Sequence, residues 1–313
     1  MNYLLLIGGL ITLLLSGDFL VRGGVSLARH FKVSTLVVGL TVVSLGTSAP
    51  ELFVSLGAVL SGKSELSTGT IIGSNISNIG LVLGLTALIL PIAVNRRSTI
   101  FDWPVMFAAT ILFFLFILNG SLGRIEGIVF VILLLTYVIY TLYDSRKKEG
   151  ASGSKVEKPK YSLQISILII LAAAIGLYFG ADWLVRGASS IAAEFGISDY
   201  LIAATVVAFG TSVPELATSL IAAFKKEMDI SVGNIVGSNL FNILGILGIT
   251  AVIKPIDIAS QILHFDIYYL IGICVLLLIF MLPLKNGKIM RWKGLLLLAS
   301  YVFYAIKLIS DQV

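Results

Sequence analysis

One apolar stretch, written twice, constrains this chain more than any other feature. Residues 41–55 read TVVSLGTSAPELFVS and residues 205–219 read TVVAFGTSVPELATS. The offset of 164 holds without a gap from 34–84 against 198–248, with 23 identities in 51 positions. Each copy sets an acid, Glu51 or Glu215, inside an otherwise apolar segment. A duplicated half with an acid at membrane depth is the pattern of a transporter built from repeats.

Only 12% of the 313 residues are charged, against roughly 25% in soluble domains, and mean hydropathy is +1.02. The apolar runs reach the ~20 residues needed to cross a bilayer. The expected fold is an all-α polytopic membrane protein with spans near 3–28, 34–60, 68–90, 102–119, 124–143, 162–188, 198–223, 230–252, 264–283 and 291–310. That gives ten transmembrane helices as two five-helix repeats, 1–143 and 162–313, joined by a linker at 144–161. The first apolar run has no Lys or Arg before Arg22, so it reads as a span and not as a removable signal. The net charge of +5 sits between apolar runs, as topology determinants do, and no nucleic-acid partner is expected. Cys274 stands alone in an apolar run and reads as a packing residue.

An odd number of spans per half makes the second copy enter the bilayer from the opposite side, so the repeats are inverted. Loop charges agree. The loops after spans 1, 3, 5, 7 and 9 hold 16 Lys and Arg, and the other side holds four, Lys63, Arg124, Lys254 and Lys307. The positive-inside rule then puts both termini outside and the linker in the cytoplasm, in a plasma (inner) membrane. The linker, rich in charge, Gly and Ser, reads as a flexible joint.

The repeated motif carries chemistry. In GTSAPE (46–51) and GTSVPE (210–215), proline and glycine weaken a helix in mid-span. Carbonyls freed there must face protein, water or an ion, because lipid cannot satisfy them. Thr47 and Glu51 are four apart and share a face. The next span adds GSNISN (73–78) and GSNLFN (237–242), where Ser74 and Asn78, and Ser238 and Asn242, are also four apart. Brought together, the halves would enclose a pocket of oxygen atoms, with no His or Cys set spaced for a soft metal. Hard cations such as Ca²⁺ suit that chemistry. A lone Ser, Thr or Asn in such a helix is often interhelical glue. Two glutamates at matching repeat positions are not explained that way, since each costs about 2.5–3.5 kcal/mol at mid-membrane.

These motifs resemble the alpha repeats of the sodium/calcium exchanger branch of the cation/calcium antiporter superfamily. The resemblance implies two inverted five-helix repeats and an ion pocket formed by spans 2, 3, 7 and 8. It implies core ligands at Thr47, Ser48, Glu51, Thr211, Ser212 and Glu215, and flanking ligands at Ser74, Asn78, Ser238 and Asn242. Ser44 and Ala208 match positions whose backbone carbonyls bind ions. Spans 1 and 6 resemble a pair that slides across the core. Relatives that co-transport potassium carry Asp at the position of Asn242, so potassium coupling is not expected. Nor does the short linker hold the calcium-sensing domains of animal relatives.

The implied activity is exchange of Ca²⁺ for Na⁺ by alternating access, with no cofactor and a monomer sufficient. Proton-coupled Ca²⁺ exchange on the same fold is the alternative, since buried glutamates can carry protons. A cation channel fits the inverted repeat less well. With no HExxH and no Ser–His pairing, an enzyme is not expected. Asp18/Arg22 and Asp182/Arg186, four apart, read as intrahelical pairs or as gating groups. Asp102 and Asp266 read as acids at span starts, where they complement the helix N-terminus, and Trp103, Trp183 and Trp292 as interfacial anchors.

Overall fold

The computed structural model describes residues 1–151, 158–196, 208–282 and 287–310. Eight helices among them are long and apolar enough to cross a membrane, and a ninth candidate is a bent pair. In chain order the helices are α1 (Asn2–Phe31), the bent pair α2 (Thr35–Thr47) and α3 (Ala49–Leu60), α4 (Ser64–Ile89), α5 (Ser98–Asn119) and α6 (Arg124–Ala151). The second half has α7 (Leu163–Glu194), α8 (Val213–Phe224), α9 (Met228–Ile253), α10 (Ile262–Met281) and α11 (Arg291–Ser310). The first part of the expected span 198–223 lies outside the described residues. What precedes α8 there is a single helical turn, Ala208–Gly210.

Burial sorts these helices into a core and a periphery. In α4 and α9, 78% and 89% of the apolar window is buried inside the protein, against 28% in α1 and α7. The repeat-bearing helices therefore form the centre, and the most apolar ones face outward, as a lipid solvent allows. α1 and α7 run antiparallel with their backbones nearly touching. A Cβ on Gly9 would fall 2.6 Å from the Leu184 nitrogen, and one on Gly187 would fall 2.6 Å from the Leu6 nitrogen. Small residues permit that approach and gain dispersion contacts for it.

Four two-residue strands supplement the helices. β1 (Ile92–Ala93) pairs antiparallel with β4 (Lys288–Ile289), and β2 (Ser121–Leu122) with β3 (Ile256–Asp257). Each ribbon ties a loop of one half to a loop of the other, through buried Ile92, Ile289, Leu122 and Ile256.

Several sequence expectations need correction. The expected flexible joint does not begin at 144, because α6 stays helical through Ala151. Asp144 supports that extra turn and more by pairing with Lys148 (2.8 Å) and with Arg97 (3.0 Å). Asp102 and Asp266 do directly precede α-helical stretches, Trp103–Phe116 and Ile267–Met281, but not at an exposed edge. Both are buried at the ends of wide π-helical turns, Ser98–Asp102 and Ile262–Asp266. Each accepts a 3.0 Å hydrogen bond from a buried phenol, Tyr137 and Tyr304 respectively. Trp103 is no interfacial anchor, being buried and donating its indole N–H to the Cys274 carbonyl at 2.9 Å. Trp183 and Trp292 do remain exposed.

Candidate cation site

The two glutamates sit where the helices break. α2 ends at Thr47, Ser48 leaves helical geometry (φ −87°, ψ 5°), and α3 departs at 46°. Pro50 does not kink a helix interior. It occupies the first turn of α3, where a missing N–H costs nothing, and Pro214 does the same in α8. Glu51 and Glu215 thus lie in the first turns of α3 and α8, where helix dipoles favour negative charge. Both are fully buried.

The halves interlock around these acids. Ser48 Oγ donates to Glu215 Oε1 at 3.2 Å, across the repeat boundary. Ser74 Oγ donates to Glu51 Oε1 at 3.3 Å and accepts from Asn242 Nδ2 at 3.1 Å. Asn242 also donates to Asn75 Oδ1 (2.9 Å), and its repeat partner Asn78 donates to Asn239 Oδ1 (3.3 Å). Asn75 closes the loop with a 3.3 Å bond to the Asn239 carbonyl. Thr47 Oγ1 lies 3.4 Å from Ser238 Oγ. Of the expected site residues, Glu51, Ser74, Asn78 and Asn242 are thus linked in one buried network, and Thr47, Ser48, Glu215 and Ser238 in a second, through Asn234.

The others are placed differently. Ser212 Oγ is buried, and Thr211 lies in the turn just before it, half-buried. The Ser44 carbonyl accepts the Ser48 N–H (2.9 Å) and the Thr47 hydroxyl (3.2 Å), while its own hydroxyl bonds the Gly39 carbonyl at 2.6 Å. In the second half the matching N–H of Ser212 bonds Phe209 (3.1 Å), one residue past Ala208. The two carbonyl positions are thus not equivalent in this state.

Several oxygens in the cluster have no hydrogen-bond partner among the described residues. Glu51 Oε2, Glu215 Oε2, Asn78 Oδ1, Asn242 Oδ1 and Ser212 Oγ are all buried in this condition. An unsatisfied buried polar atom costs about 1–3 kcal/mol, and more when charged. Carboxylate, amide and hydroxyl oxygens are the ligands a hard cation takes, six to eight of them for Ca²⁺. No group of three or more His, Cys, Asp or Glu occurs among the described residues, so the charge available is that of two carboxylates.

Three asparagines were missed as members of the cluster. Asn75 and Asn239 stand in both copies of the GSN motif, so the repeat itself carried the signal. Asn234 had none, because the first half has Thr70 at the matching position.

The sodium/calcium exchanger protein family matches residues 1–143 and 165–309 of this chain. A putative antiporter, CaxA of Alkalimonas amylolytica, is 37% identical over 97% of both chains. The sodium/calcium exchanger MaX1 of Methanosarcina acetivorans is 31% identical over 98% of both. The fold superposes on the sodium-calcium exchanger NCX_Mj, soaked without Na⁺ and Ca²⁺, with a TM-score of 0.83 and 34% identity over 98% of both chains.

Proposed function

The chain belongs to the sodium/calcium exchanger protein family and shares the helical membrane fold of NCX_Mj, and from that premise we propose that it exchanges Ca²⁺ for Na⁺ across a membrane. The observation that carries this reading is the set of partnerless buried oxygens on Glu51, Glu215, Asn78, Asn242 and Ser212. They are the type of oxygen that a dehydrated Ca²⁺ or Na⁺ takes as ligands. MaX1 and NCX_Mj carry the same two ions in their names, which supports the same cargo here.

The ligand set is Thr47, Ser48, Glu51, Thr211, Ser212 and Glu215, flanked by Ser74, Asn78, Ser238 and Asn242, with the Ser44 and Ala208 carbonyls. Two ionised glutamates give the pocket a charge of −2. One Ca²⁺ balances it, and so do two Na⁺, while a third Na⁺ leaves +1. The ions compete for the same oxygens, so each displaces the other. An empty −2 pocket is costly to bury, which favours occlusion only when it is loaded and keeps leak low. Any net charge moved couples to voltage at about 2.3 kcal/mol per charge per 100 mV.

Ten spans in two inverted repeats complete the reading, with α1 and α7 sliding across the core to alternate access. Both termini lie outside a plasma (inner) membrane, and one chain suffices, since each carries a whole cluster. The loop-charge asymmetry and the antiparallel α1–α7 pair support this arrangement.

The test is ⁴⁵Ca²⁺ uptake into Na⁺-loaded proteoliposomes diluted into Na⁺-free medium, with potential clamped and no pH gradient. Wild type should take up Ca²⁺, and Glu51→Gln or Glu215→Gln should abolish uptake. Full uptake by either variant would sink the assignment. Uptake driven only by a proton gradient would instead establish the proton-coupled exchanger.

A further inference from the structure

The second half of the site holds a buried amide that the first half lacks. Asn234, fully buried on α9, sits at the repeat position of Thr70, whose hydroxyl turns back onto the Leu66 carbonyl of its own helix (2.7 Å). Asn234 reaches three neighbours. Its Nδ2 lies 3.4 Å from the Glu215 carbonyl and 3.1 Å from Ser219 Oγ, and its Oδ1 lies 3.0 Å from Thr47 Oγ1.

The chemistry of these neighbours fixes which way the amide faces. The Glu215 carbonyl can only accept, so it must meet the NH₂ end. The amide oxygen then faces Thr47, and that oxygen also can only accept. The Thr47 hydroxyl must therefore be the donor. The Ser44 carbonyl at 3.2 Å likewise takes a proton and gives none, and the Ser238 hydroxyl at 3.4 Å and the Glu215 carboxylate are further acceptors beside it. A threonine hydroxyl has one proton and two lone pairs. With the proton on the Asn234 oxygen, which at 3.0 Å is nearer than Ser44 or Ser238, the lone pairs are what Thr47 offers on its remaining sides.

The placement comes from the backbone. α2 lies close on α9, where a Cβ on Gly39 would fall 3.0 Å from the Ile230 Cα and one on Gly233 would fall 2.7 Å from the Leu36 carbonyl oxygen. That approach carries Thr47, at the broken end of α2, onto Asn234. The same side chain also grips the first turn of α8, which carries Glu215. One amide thus couples a hydroxyl of the first half to the carboxylate-bearing turn of the second.

We propose that Asn234 is a positioning residue of the cation site: it takes the Thr47 proton, so that the Thr47 oxygen presents lone pairs to the transported ion, and it holds the Glu215 turn against that oxygen. This rests on the exchange reading above. Asn234 does not touch the ion and acts through Thr47.

The experiment is a double-mutant cycle on the full chain in proteoliposomes, with Asn234→Leu and Thr47→Val, both close in size to the residues they replace. Half-saturating Ca²⁺ and maximal rate are read separately in Na⁺-driven uptake, and Ca²⁺ binding to the purified protein is read by calorimetry. Asn234→Leu is expected to raise half-saturating Ca²⁺ by about tenfold, the upper scale of one neutral hydrogen bond, with maximal rate within about twofold. Added to Thr47→Val it should raise that value by less than about twofold more, because the residue it acts through is gone. Ser219→Ala, which removes only the amide's other side-chain acceptor, should leave half-saturation within about twofold. If Asn234→Leu fails to fold, Asn234→Thr, the first half's own residue there, is used and should shift affinity in the same direction.

Independent, multiplying effects of the two substitutions, or a lost maximal rate at unchanged affinity, would overturn the proposal. If wild type neither binds nor transports Ca²⁺, the exchange reading itself falls. If wild type exchanges and Asn234→Leu matches it, only the role of Asn234 falls.

Discussion

Replacing Lys225 by alanine should open one face of the protein. The two halves are related by the repeat, yet their packing is unequal. α1 packs along α8, whereas α7 touches α3 far less. At the first contact, a Cβ on Gly17 would lie 3.5 Å from Ala217, and Lys225 Nζ bonds Asp18 Oδ1 at 2.5 Å. Asp18 is also held by Arg22 at 2.6 Å. The repeat equivalents of Ala217 and Lys225 are Phe53, which is 65% exposed, and Ser61, which has no charge to offer Asp182. On the alternating-access reading proposed above, the Asp18–Lys225 bond belongs to the state closed between α1 and α8. Both partners are partly exposed, at 25% and 30%, so the bond contributes about 1 kcal/mol at most. Lost from one state alone, that is a shift of roughly fivefold in the equilibrium between states. The assay is thiol labelling. Cys274, the only cysteine, is first changed to alanine, and Ala217→Cys places a thiol under α1. Lys225→Ala should then raise the labelling rate about fivefold, while Lys225→Arg leaves it unchanged. Equal labelling of the alanine variant and its parent would refute the idea that this pair holds the face shut.

Two further substitutions test the scaffold. Gly9→Ala would set a Cβ 2.6 Å from the Leu184 nitrogen and 2.7 Å from the Gly180 carbonyl oxygen, and should destabilise the α1–α7 pair by about 1–3 kcal/mol. A lower melting temperature in detergent checks it, and wild-type stability would refute the close approach. Tyr137→Phe removes the phenol that bonds buried Asp102 and should cost about 1–3 kcal/mol, as should Tyr304→Phe for Asp266. Denaturation of both variants in the same detergent should show similar losses, and a neutral result at either position would show that water replaces the phenol.

The sequence made the membrane class and most of the described spans legible, and pointed to the residues of the candidate site, because a repeat registers any feature that both halves share. Glu51 and Glu215 stood out as acids in apolar helices, and the GSN motifs followed at the same offset. What the repeat could not register is what the halves do differently. Asn234 has no counterpart amide, and Lys225 has no counterpart charge, so both looked like ordinary positions. The burial of Asp102 and Asp266 escaped for another reason. Spacing placed them at span starts, but the phenols that make their burial tolerable lie 35 and 38 residues further on. A long-range hydrogen bond leaves no periodic trace. Trp103 escaped in the same way, its carbonyl partner on Cys274 lying 171 residues away.

The missing counterpart of Lys225 can be supplied, and that gives a test in which the expected sign is reversed in space. Ser61 closes α3 with φ −81° and ψ 5°, and Lys225 closes α8 with φ −79° and ψ 1°. A lysine at 61 would thus leave its helix in the direction that Lys225 leaves α8. Asp182, the repeat partner of Asp18, already stands on α7 with Arg186 at 2.8 Å. Ser61→Lys should therefore favour the state in which α7 closes on α3, and that state opens the α1–α8 face. With the bond again contributing about 1 kcal/mol, labelling of Ala217→Cys should rise roughly fivefold even with Lys225 intact. The two sites share no partner, so Ser61→Lys with Lys225→Ala should multiply to about 25-fold. Asp182→Asn should cancel the gain from Ser61→Lys and leave that from Lys225→Ala untouched. A Ser61→Lys variant that labels no faster, or one whose gain survives Asp182→Asn, would show that the two faces are not exchanged by the repeat symmetry.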